Sequence, residues 1–175
     1  FREFYMPPYK AGVDAGALSV MTAFNEYDGV PATGNQYLLK DILKGEWNFQ
    51  GFVVTDYTSI NEMVHHGYAR DDADAGVKAV NAGVDMDLQG EVYFSYLRGL
   101  VDSGFVREKT IDDAVRRILN VKAKLGLFDD PYRYCDSARE NQVVSNPEIK
   151  ALSRDAARRS MVLLKNEGCL PFDRG

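Results

Sequence analysis

A chain of 175 residues has the size of one ordinary domain or of two incomplete ones, and 45% apolar with 27% charged residues is enough for a sizeable core. A net charge of -5, without any Lys/Arg cluster to displace phosphate counterions, argues against nucleic acid as a partner. No apolar run is long enough to span a bilayer, and two cysteines, Cys135 and Cys169, are too few for a disulfide scaffold and read as unrelated thiols.

In chain order, apolar residues at near-helical spacing predict a helix over 3–16 ended by Gly16, with Pro7 and Pro8 pointing to a start near Pro8. Residues 17–24 form an almost continuous apolar run, the pattern of a parallel strand buried on both faces. Residues 25–31 read as a loop of turn formers. A helix is predicted over 36–46 and a strand over 52–55, which runs into Asp56 and Tyr57. Helical segments follow near 59–66 and 73–82, a third strand over 83–88, and another helix over 91–103. Thr110 is expected to cap a long helix that presents Ile111, Val115, Ile118, Leu119 and Leu125 on one face and ends at Gly126. The stretch 129–147 is polar and reads as a linker; Pro147 then opens a helix to about Arg159, followed by a strand over 160–164.

Strands alternating with helices imply a parallel sheet with right-handed crossovers, either open and doubly wound or closed as a (β/α)8 barrel. No glycine-rich phosphate loop follows a strand, which weakens the nucleotide-binding form, and three strands would be only the last part of a barrel. Function in such folds gathers at the C-terminal ends of strands, here Phe24-Asn25, Asp56-Tyr57 and Asp85–Asp87. Asp56 can serve as the carboxylate of a glycoside hydrolysis, with Tyr57 as a wall for a sugar ring, or it can simply cap the segment that follows. Asp85 and Asp87 are expected to share one side of a strand and to make ion pairs or loop caps rather than substrate contacts. His65 and His66 diverge on a helix and cannot share one metal, so no metal site is expected.

Five segments, in order, resemble glycoside hydrolase family 3: Ser19–Asn25 with Asp28–Ala32; Leu38–Leu43 leading into Trp47–Tyr57; Ala82–Met86; Arg116–Leu119 with Lys122 and Leu125–Phe128; and Ser160–Asn166 with Leu170-Pro171. Within the family the likeness is greatest to the periplasmic β-glucosidases of Gram-negative bacteria. The resemblance implies an α/β fold in which 1–128 are the C-terminal part of a (β/α)8 catalytic barrel, 129–147 an interdomain linker and 148–175 the start of an α/β sandwich domain. It implies a retaining, exo-acting β-glucosidase whose nucleophile, the Asp closing Gly51-Phe52-Val53-Val54-Thr55-Asp56, is Asp56. Asp56 would form a covalent glycosyl-enzyme while an acid protonates the leaving oxygen and then activates water. Met21 matches a residue lining the sugar subsite. Phe24 stands where a Tyr is frequent, so a hydroxyl contact is lost.

The resemblance also implies no metal and no cofactor, an oligosaccharide or β-glucoside substrate, no membrane partner, and a periplasmic or secreted location. The family's Lys-His pair and sugar-holding Arg and Asp fall upstream of Phe1, and its acid/base Glu falls downstream, Glu167 being too early. The 175 residues by themselves are therefore expected to be inactive. Alternatives on the same scaffold are a β-xylosidase, an arabinofuranosidase, an N-acetylhexosaminidase or a catalytically inactive sugar-binding relative. An aldolase-like barrel would want a Lys at a strand end, where this chain carries Asn25, Asp56 and Asp85.

Overall fold

The computed structural model describes residues 1–144 and 146–172. Two units emerge, Phe1–Asp130 and Pro131–Gly175.

In the first unit, helix α1 (Met6–Asp14) is shorter than predicted and takes both prolines in its first turn, where a missing N–H costs nothing. Strand β1 (Ser19–Met21) follows and pairs in parallel with β4 (Phe52–Val54), in the register Ser19↔Phe52, Val20↔Val53, Met21↔Val54. The predicted strand over 17–24 was too long, and it is not covered on both faces: Met21 is 50% exposed. The predicted loop 25–31 holds a small antiparallel hairpin, β2 (Glu26–Tyr27) and β3 (Val30–Pro31). Its two turn residues, Asp28 and Gly29, both have positive φ, as a two-residue hairpin turn demands.

The segment Tyr37–Glu46 is helical as predicted but wound as a π-type helix, and Trp47 N donates to Ile42 O five residues back. It buries Leu39, Ile42 and Leu43. Gly51 lets β4 approach β1 closely: a Cβ there would lie 2.2 Å from the Leu18 carbonyl oxygen. Helices α2 (Ser59–His65), α3 (Asp72–Ala82) and α4 (Val92–Asp102) lie where the periodicity put them. The small residues Ala75, Gly76 and Ala79 on α3 let it pack against both α2 and α4. Val53, Ile60, Met63, Ala75 and Ala79, all 0% exposed, form the centre of the core.

The third predicted strand, 83–88, is reduced to a single parallel bridge between Met86 and Val54. Helix α5 (Glu108–Lys124) begins at Arg107 with no side-chain cap, so Thr110 is not the cap; its N–H bonds the Arg107 carbonyl inside the first turn. The buried stripe of α5 runs through Ala114 and Val121, one step off the predicted face, leaving Val115 and Leu119 exposed.

In the second unit, the stretch read as linker contains α6 (Ser137–Val144), and α7 (Pro147–Ser160) opens on Pro147 behind the Asn146 cap. The predicted strand over 160–164 forms no pairing among the described residues: Ser160 ends α7, and Met161, Val162, Leu163 and Leu164 are exposed. Cys135 and Cys169 are exposed free thiols.

Candidate active site

A β-strand alternates its side chains between two faces. In β4 and its continuation, Val53 and Thr55 are fully buried against the helices, while Phe52, Val54 and Asp56 are only partly covered. The ladder aligns Met21, Val54 and Met86 in one row across three neighbouring segments. Met21 and Met86, 50% and 40% exposed, thus share the open face of the sheet. Asp56 follows the same parity, two residues beyond Val54 at the C-terminal end.

Asp56 is half-buried and engages in no ion pair among the described residues. Its Oδ1 accepts a hydrogen bond from the Tyr57 N–H at 2.6 Å, and its carbonyl accepts from Ser59 N at 3.2 Å. Thr58, between them, has φ 58°, an unusual conformation for a β-branched residue. Its N–H bonds Leu88 O at 3.2 Å, and Leu88 N bonds Thr55 Oγ1 at 2.7 Å. The turn after β4 is therefore strained locally and held by the segment after Met86. Tyr57 is 57% exposed and free to stack on a ligand; Phe24 is half-buried.

The two other strand-end aspartates part company. Asp85 is buried and locked: Lys44 Nζ lies 2.7 Å and Arg117 Nη1 2.9 Å from its carboxylate, and Val53 N donates to it at 2.8 Å. Burial lowers the pKa of Lys44 against the opposing pull of Asp85. Asp87 Oδ2 accepts from Val92 N and Tyr93 N and so caps α4. Ion pairing and capping, the roles expected of these two, are the ones found, each with its own partners. The Tyr93 hydroxyl donates to Val84 O, and burial beside Asp87 and Asp85 pushes its pKa well up. His66 Nδ1 sits 2.6 Å from Glu26 Oε1, and the described residues contain no cluster of three or more metal-ligating side chains.

A hollow of about 570 Å³ opens beside β1, lined by Met21, Tyr9, Tyr27 and Trp47 among others. Of the four residues singled out in the sequence it takes in only Met21; Phe24, Asp56 and Tyr57 lie outside its lining. The hydroxyls of Thr22, Thr33 and Ser59, which sequence reasoning missed, form a buried chain behind these loops.

Residues 1–121 match the family described as the glycosyl hydrolase family 3 N terminal domain. The chain belongs to glycosyl hydrolase family 3. Among family relatives, it is 48% identical over 165 residues to a periplasmic beta-glucosidase of Salmonella typhimurium, covering 93% of this chain and 22% of that protein. It is 36% identical over 179 residues to a probable exo-1,4-beta-xylosidase of Neosartorya fischeri, covering 97% of this chain and 23% of the relative. In structure it resembles a beta-glucosidase from Listeria innocua, with TM-score 0.80 and 40% identity over 97% of this chain and 24% of the other. The Listeria enzyme has also been crystallised with glucose and, as a mutant, with laminaribiose. The family 3 chain described here thus spans about a quarter of the length of the relatives it matches.

Proposed function

We propose that these residues are the nucleophile-bearing part of a retaining, exo-acting β-glucosidase. The observation that carries this reading is the position of Asp56. It is a partly covered carboxylate without an ion pair among the described residues, one residue pair beyond the Met21–Val54–Met86 row, on the open face at the C-terminal end of a parallel strand. In this reading a carboxylate oxygen of Asp56 attacks the anomeric carbon as the bond to the leaving oxygen breaks, and that oxygen takes its proton from a carboxylic acid. Water, deprotonated by the same acid residue, then releases the sugar with retention. The Tyr57 N–H, 2.6 Å from Oδ1, fixes the orientation of the carboxylate and leaves its other oxygen toward the open face.

The acid/base Glu belongs to sequence beyond this chain, as do the remaining sugar-holding groups. Residues 1–128 are taken as the C-terminal part of a (β/α)8 barrel, 129–147 as a linker and 148–175 as the start of an α/β sandwich. Met21 lines the sugar subsite, Phe24 packs beside it without a hydroxyl, and Tyr57 walls the site. Neither metal nor cofactor takes part. The likeness to a periplasmic beta-glucosidase supports a periplasmic or secreted location.

The test is trapping. The full-length protein carrying these residues is treated with a slow 2-fluoroglucoside and the labelled peptide sequenced. Label on Asp56 is expected; label elsewhere overturns the assignment. The likeness to exo-1,4-beta-xylosidases favours β-xyloside as the second reading. Rates on nitrophenyl glucoside and xyloside decide between them, and a faster xyloside rate would displace the glucoside.

A further inference from the structure

All four candidate site residues sit where two strands run into their loops: Met21 closes β1 with Phe24 in the loop after it, and Asp56 and Tyr57 follow β4. These loops are joined through a third. Thr33, 0% exposed in the 3₁₀ turn Ala32–Gly34, has its Oγ1 2.9 Å from Thr22 Oγ1, 2.9 Å from Ser59 Oγ and 3.4 Å from Ala23 O. Thr22 and Ser59 are themselves 5% and 2% exposed, so water does not substitute for these bonds.

A hydroxyl has one proton and two lone pairs. Ala23 O can only accept, so the arrangement satisfying all three contacts has Thr33 donating to Ala23 O and accepting from Thr22 and Ser59. Both lone pairs and the proton are then used, and each bond ends next to a site residue. Thr22 adjoins Met21, Ala23 adjoins Phe24, and Ser59 N holds the Asp56 carbonyl at 3.2 Å. Between Asp56 and Ser59 lies Thr58 in its left-handed conformation, which persists only if its surroundings hold it. Ser59, pinned by Thr33, is one of those restraints.

We infer that Thr33 is a positioning residue: its buried hydroxyl sets the Asp56 loop against the Met21 loop. This deepens the reading of Asp56 as nucleophile and rests on it. Three hydroxyls that merely satisfied one another would have no reason to act on turnover. A positioning role acts there first, because a misplacement of about 1 Å at the reacting centre can cost roughly a hundredfold in rate.

The experiment compares Thr33→Val and Thr33→Ser in the full-length enzyme. Valine keeps the shape and loses the hydroxyl; serine keeps the hydroxyl and loses the methyl. For Thr33→Val we expect kcat to fall about ten- to a hundredfold with KM changed less than about threefold. The fluoroglucoside should still label Asp56, more slowly in proportion. Thr33→Ser should recover most of kcat. A Thr33→Val enzyme with kcat within about twofold of wild type overturns the inference, and so does a serine variant as slow as the valine one. If the valine variant does not fold, Ser59→Ala removes a single peripheral bond; a smaller kcat loss supports the inference and an unchanged kcat overturns it. Wild-type label on another residue sinks the nucleophile reading and the inference with it. Label on Asp56 at a rate insensitive to Thr33 sinks the inference alone.

Discussion

Asp56 and Asp85 are the same residue type at the ends of neighbouring β-segments, yet they have opposite surroundings. Asp85 accepts from two cations and a backbone N–H in a buried setting, whereas Asp56 has one backbone donor and an open side. Substitutions should separate them by observable. On the nucleophilic role proposed for it, Asp56→Asn is expected to lower kcat by about four orders of magnitude with little change in unfolding midpoint. Lys44→Met should act on stability instead. It leaves Arg117 as the remaining cation on a carboxylate that is 2% exposed, and breaking a buried pair of this kind costs about 3 kcal/mol. A urea titration of the full-length protein checks it; an unchanged midpoint would mean the pair does not carry the fold.

At the scale of the element, Gly51 and the start of α3 carry the clearest physical demands. A Cβ at Gly51 would meet the Leu18 carbonyl at 2.2 Å and the Phe49 ring at 2.5 Å. Gly51→Ala should therefore destabilise by about 3 kcal/mol, since neither the strand backbone nor the packed ring can give way cheaply. A thermal melt within a degree of wild type would contradict this. At α3, Asp71 caps the helix through Asp74 N, and Asp74 accepts from Arg70 N and Lys78 Nζ. The Arg70 guanidinium, then the Asp74 N–H, hold Asp71 below its ordinary 3.8. Lys78, then the Arg70 N–H, do the same for Asp74. With folded pKa values lowered, the unfolded chain binds protons first, so this stabilisation is present above pH 3.8 and is lost as pH falls through the lowered values. Asp74→Asn should flatten the acid limb of a pH–stability curve; an unaltered limb would refute it.

The elements also divide by how readable they were. The helices α2, α3, α4 and α7 followed from apolar spacing and caps. The π-type winding of Tyr37–Glu46 has no spacing signature distinct from an ordinary helix over ten residues. The stretch 83–88 has the composition of a strand, but Asp85 turns into its ion pairs and Asp87 onto α4, leaving one bridge at Met86. Thr110 looked like a cap because capping side chains are recognisable in sequence, whereas a helix entered without one, as at Arg107, leaves no mark.

For the whole molecule, a parallel sheet is stable when both faces are covered. In the first unit one face is packed by helices, while Met21 and Met86 lie exposed on the other. Expressed alone, the 175 residues should bind a hydrophobic dye such as anilinonaphthalene sulfonate and leave nitrophenyl β-glucoside untouched. Appreciable hydrolysis by the isolated chain would show that the acid/base group lies within it.

Membership of glycosyl hydrolase family 3 was legible in the linear chain through five segments that resemble the family, and the parallel β–α order through apolar runs and their spacing. Both reside in local patterns, as does the acidic Asp56 directly after one of those runs. Other features awaited the folded coordinates, because they arise between segments far apart in sequence. The Lys44–Asp85–Arg117 cluster, the alignment of Met21 with Met86 and the hydroxyl chain through Thr33 each join residues brought together only when the strands register and the helices pack.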